Sequence, residues 1–196
     1  MKKCVILKNN YLSKSRFEQY KNMSEYIENL QACKNFYIPL SLVEIAFRNS
    51  LNSYFLKTIG NDWLFNKKFI KPQQLDKIEV SKKILYQQNK KATHENVLAE
   101  LSFGFFVTFL KRPYKEHLRY KDIKIIFPNI SSDGEQINRH FIFVKINNIR
   151  VFRNKVFHHD KIINKQEFEN MKENIYEILT YFDDEVCAFA KRVNNE

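Results

Sequence analysis

Apolar residues recur along most of the chain at spacings of three and four, the period of helices with one face turned inward. Phe17, Tyr20, Met23 and Ile27 mark a first amphipathic helix, from Ser13, which is able to cap it, to about Ala32. Pro39 then stands where a first-turn proline is tolerated, and Leu40, Val43, Phe47, Leu51 and Tyr54 carry a second helix to Gly60. Residues 61 to 72 read as a connection in which Trp63, Leu64 and Phe65 pack back. A third helix, from about Gln73 to Asn89, is strongly polar and belongs on the outside, with Lys77, Lys82 and Lys83 along it and Lys90 and Lys91 just beyond.

Thr93 is placed to cap a helix bearing Val97, Leu98, Leu101, Phe105, Phe106 and Phe109, which ends at Lys111-Arg112-Pro113. Its circumference is almost wholly apolar, so it is expected to be the central core helix. Ile123, Ile125, Ile126 and Phe127 anchor the next segment. Ser132-Asp133-Gly134-Glu135 matches a capping box and opens a long helix with Phe141, Val144, Ile146, Ile149, Phe152 and Val156 in the core. A second capping signal at Asn164-Lys165-Gln166-Glu167 precedes a final helix carrying Phe168, Met171, Ile175, Ile178, Leu179, Phe182, Val186 and Phe189.

Three glycines and four prolines in 196 residues are too few turns for a β sandwich, so the pattern predicts one all-α domain over the whole chain, 1–196. Lys and Arg number 33 against 22 Asp and Glu, a net charge of +11 that attracts phosphate backbones. The chain is also crowded with Lys, Asn, Ile, Phe and Tyr, residues of A/T-rich codons, so genomic base composition is the blander alternative source for part of that excess. Cys4, Cys33 and Cys187 are widely separated and lack zinc spacing, so neither a metal nor a disulfide framework is indicated. The apolar run at Val5-Ile6-Leu7 is too short for a signal-peptide core, and no stretch approaches the ~20 apolar residues of a membrane span. A soluble protein of a reducing cytoplasm, without membrane association, is expected.

The candidate chemistry lies at the end of the long helix, in Arg153-Asn154-Lys155-Val156-Phe157-His158-His159. Arginine offers a forked cation suited to phosphate, and histidine the side chain that titrates nearest neutrality. Cleavage of RNA by its own 2′-OH needs a base, an acid for the departing 5′-oxygen and a cation for the phosphate, and no metal. His158 can act as base or acid, and Arg153 can hold the phosphate. Five residues apart, the two stand roughly 140° from each other around an ideal helix, so a symmetric dimer is the simplest way to complete one site. The blander alternative has Arg153, Asn154 and His158 capping the helix and pairing with acids such as Asp160 or Glu44. Glu44, Arg48 and Asn49 form a second polar group on an apolar helix; Glu44 and Arg48, four apart, either pair in solvent or orient an anion.

Taken together, Leu12 to Tyr20, Glu44-Ile45-Ala46-Phe47-Arg48-Asn49, the His94 to Leu110 segment with Leu-Ser-Phe-Gly-Phe-Phe, and Arg150 to His159 resemble in order and spacing the blocks of the Abi-like abortive-infection family. That family is similar to the HEPN superfamily, marked by R-x4-6-H, whose positions fall here on Arg153, Asn154 and His158. The resemblance implies a helical bundle with additional N-terminal helices and a homodimer that brings two motifs together. It also implies metal-independent endoribonuclease activity, without cofactor, in phage defence or as a toxin held by an antitoxin or accessory protein. Glu44, Arg48, Asn49, Arg150, Lys155 and His159 would then support the site or contact RNA. The alternative within the same superfamily is an inactive module that binds RNA or a protein partner.

Overall fold

The computed structural model describes residues 11–130 and 138–195, and among these every regular element is helical, with no strand. The elements are α1 (Lys14–Phe17), α2 (Met23–Thr58), α3 (Pro72–Gln87), α4 (His94–Glu100), α5 (Phe103–Val107), α6 (Tyr120–Ile126), α7 (Arg139–Phe157), α8 (Met171–Phe182) and α9 (Asp184–Val193). Short 3-10 turns at Trp63–Phe65, Thr108–Leu110, Arg112–Tyr114 and Gln166–Phe168 join them. No helix among the described residues is long and apolar enough to cross a membrane. The chain divides into two compact units. One holds the described residues up to Val43, Asn148–Thr180 and those from Asp184 on; the other holds Glu44–Asn147 with Tyr181–Asp183.

The Glu44–Asn147 unit is built on aromatic rings. The Phe55 ring centroid lies 5.0 Å from those of Trp63 and Phe69 and 5.1 Å from that of Phe109, and Phe109 is 4.7 Å from Tyr114. Pro72 starts α3 at its first turn, and the Thr93 hydroxyl accepts the Asn96 N–H to cap α4. The single core helix expected beyond Thr93 is broken at Leu101–Ser102, both extended. A straight helix would have turned some of its rings to solvent; the break redirects the chain, and Phe103, Phe105, Phe106, Val107, Phe109 and Leu110 are all buried.

The other unit begins with a small cluster of Phe17, Tyr20 and Tyr26. Here the expected pair of helices is replaced by the four-residue α1 and the 36-residue α2, which continues past Pro39 and on into the Glu44–Asn147 unit. The helix starts where Asn22 Oδ1 accepts the Glu25 N–H (3.0 Å) and the Glu25 carboxylate accepts the Lys21 N–H (2.5 Å). Proline removes one helix bond, but the inward stripe of Tyr26, Asn29, Cys33 and Leu40 passes it without a change of register, and its burial outweighs that loss. The expected final helix is likewise two, separated at Asp183.

Four expected core residues are exposed: Ile27 (49%), Ile125 (58%), Val144 (41%) and Phe189 (45%). In α7 the inward series is Ile142, Ile146, Ile149, Phe152 and Val156, and Val144 falls off it. The capping box at Ser132–Glu135 lies outside the described residues; α7 itself is capped by Asn138, whose Oδ1 accepts the Phe141 N–H at 3.0 Å.

Candidate functional site

The last turn of α7 ends in a closed C-cap. The His159 N–H donates to the Val156 carbonyl (3.0 Å) and the Asp160 N–H to the Lys155 carbonyl (2.9 Å), with His159 in the left-handed region at φ 54. These two bonds form a Schellman motif, and histidine is among the non-glycine residues that accept such a backbone. The His158 N–H still donates to the Asn154 carbonyl at 3.0 Å, so His158 keeps helical register instead of swinging round on a frayed end. Arg153 and His158 therefore stay about 140° apart around the α7 axis.

Their surroundings differ. Arg153 is half-buried, and its guanidinium carbon lies 4.0 Å from the centre of the Phe157 ring, a cation–π contact that fixes the charge in place. The other side of this aromatic group is extended by Tyr37, stacked on Phe157 at 4.8 Å and 55% exposed. Tyr37, Phe157 and His159 share the wall of a groove of about 730 Å³ with Cys33 and Val156. His158 and His159 are exposed, Asn154 and Arg150 half-buried. Lys155 is exposed but its ammonium is bound by Asp160 at 3.0 Å, so it is less available to an outside anion than its sequence position suggests. Glu44 and Arg48 are half-buried and Asn49 is exposed, and all three lie in the Glu44–Asn147 unit.

Sequence reasoning passed over the groups that hold the turn after the motif. Asn29 is fully buried and bonds the backbone at three positions of the loop after the motif, 160, 162 and 163. Its amide donates to the Asp160 carbonyl (3.1 Å), and its oxygen accepts the N–H of Ile162 (2.7 Å) and of Ile163 (3.3 Å). Glu25 accepts from the Lys161 ammonium (2.8 Å) and from the Asn164 amide (3.0 Å), with Asn164 left-handed at φ 55. Lys161 also donates to the Gln19 carbonyl at 2.8 Å. The Lys161, Lys21 and Asn164 bonds hold the Glu25 carboxyl down at about 2, from an ordinary 4.5. Cys33, beside this latch, has its thiol pushed up by burial and then by the Asp160 charge. Two signals were there to be read: Asn22-x-x-Glu25 is a capping pattern, and Asn29 is a polar residue on an otherwise apolar stripe.

Among the described residues no group of three or more His, Cys, Asp or Glu side chains is arranged to hold a metal ion. What the arrangement offers is a pinned cation, an exposed imidazole on a rigid turn, and an aromatic-walled groove beside them. No protein-family model, curated protein or solved structure matches this chain.

Proposed function

We propose that the chain is a metal-independent endoribonuclease of abortive-infection or toxin type, an HEPN-like helical protein acting in the cytoplasm as a homodimer. Arg153 holds the scissile phosphate, Asn154 orients it, and His158 exchanges the proton of the 2′-OH or of the departing 5′-oxygen. One chain supplies a single His158, on a different side of α7 from Arg153; a second copy facing it supplies the other proton carrier. The observation that carries this reading is the pairing of a half-buried arginine, pinned on Phe157, with an exposed histidine on the closed turn that follows. A charge held in place before the substrate arrives needs little reorganisation during the reaction.

RNA cleavage in EDTA tests it. The wild-type chain should cut and leave 2′,3′-cyclic phosphate ends, and His158→Ala should lower the rate by about 10²- to 10⁴-fold. A strict magnesium requirement, or equal cutting by His158→Ala, removes the mechanism. The second reading, an inactive module that binds RNA or a protein partner, draws on the same Arg153–Phe157 contact, because packing alone gives that arginine a use. Growth separates the two: only the nuclease slows its host when expressed, and only through an intact His158.

A further inference from the structure

We infer that the end of α3 and the loop after it form a separate RNA contact, in which Lys83, Lys90 and Lys91 engage the backbone of a single strand, Lys82 is held beside them by Glu79, and Tyr86 stacks on an unpaired base. These side chains line one open concavity of about 830 Å³, wholly within the Glu44–Asn147 unit. That volume is in the range of pockets that take nucleotide-sized ligands. Asn89, left-handed at φ 56, turns the chain so that Lys90 and Lys91 line the same concavity as Lys82 and Lys83. Four lysines there face one carboxylate, Glu79, which is already bound to the Lys82 ammonium at 2.7 Å. The Lys90 ammonium is held by the neutral Gln88 oxygen at 2.9 Å, which orients the charge without cancelling it.

Helix electrostatics account for part of this cluster, since cations near the C-terminal end of α3 offset its dipole. They do not account for lysines beyond the helix, nor for Tyr86, which is 83% exposed and lines the same concavity. An open aromatic face ringed by cations is the arrangement that binds single strands: the charges follow the phosphates and the ring takes a base of any identity. A duplex keeps its base faces stacked inside, so it can use the lysines but not the tyrosine.

The inference shares its ligand with the proposed function but does not require cleavage, so it is tested on the His158→Ala chain, which leaves the RNA whole. Binding of a fluorescent oligouridylate is followed by anisotropy across a salt series. The combined Lys83→Ala, Lys90→Ala and Lys91→Ala protein should show a slope of log affinity against log salt shallower by about 2, at roughly 0.7 per lost contact. Tyr86→Leu should weaken binding by about 5- to 100-fold and leave that slope unchanged. An unchanged slope in the lysine variant, an unchanged affinity in Tyr86→Leu, or binding to anionic vesicles in preference to the oligonucleotide each overturns it. If these effects appear and the wild-type chain cuts nothing, the nuclease reading alone fails; if it cuts RNA and they are absent, this inference alone fails.

Discussion

The two units of this protein are held by different physics. Around Phe55 the Glu44–Asn147 unit stacks ring on ring, with Trp63, Phe69, Phe109 and Tyr114 all buried. Around Asn29 the other unit spends a fully buried amide and a nearly buried ion pair on a short loop, residues 160 to 164. Ring packing supplies free energy with loose demands on orientation, whereas a satisfied polar network accepts few arrangements. The chain therefore places bulk stability in one region and definition of a single backbone path next to the Arg153–His159 segment.

The largest test of that contrast is Phe55→Ala, expected to cost about 3–5 kcal/mol in chemical denaturation. Asn29→Ala should cost less, about 1–3 kcal/mol for the backbone groups left without partners. An Asn29 loss larger than that of Phe55 would reverse the assignment of roles.

Acid should separate the units by pH. His94 bonds Asn52 through Nε2 at 2.8 Å, its Nδ1 is buried, and burial holds its pKa below the ordinary 6.5. A base with a lowered folded pKa takes its proton more readily once unfolded, so the aromatic unit loses stability as pH falls below about 6.5. Glu25 is a carboxyl with a lowered pKa, so its contribution is complete above 4.5 and is lost as pH falls towards about 2. His94→Gln should remove the upper step of an acid titration of stability, and Glu25→Gln the lower. A single step untouched by either variant would dissolve the distinction. The smallest effect belongs to His159→Gly, which relieves the left-handed backbone and should stabilise by about 0.5–1 kcal/mol in thermal melts, net of the entropy glycine adds to the unfolded chain.

Much of this was written in periodicity. The stripe Leu40, Val43, Phe47, Leu51 and Tyr54, the cap at Thr93 and the polar α3 follow from spacing and single residues. Local rules failed where packing overrode them. Pro39 reads as a start but lies within a helix, because one missing N–H weighs less than an uninterrupted inward face. The break at Leu101–Ser102 carries no glycine or proline, since its cause is the need to bury rings from every side of the segment. Of the candidate site, the string from Arg153 to His159 was legible as chemistry, while its geometry was not. Lys155 is taken by Asp160 and the turn is closed by bonds to Val156 and Lys155, contacts that depend on where the chain goes after it leaves α7.

The position of Cys33 has a use of its own. Its sulfur lies 3.8 Å from the Asn29 amide nitrogen and 4.0 Å from the Asp160 carbonyl oxygen, under the loop that follows the motif. A buried thiol whose ionisation is suppressed reacts with alkylating reagents only when its cover lifts. In a chain with serine at positions 4 and 187, the rate of labelling at Cys33 is therefore a clock for the opening of that loop, started by no ligand and stopped by any molecule that holds it shut.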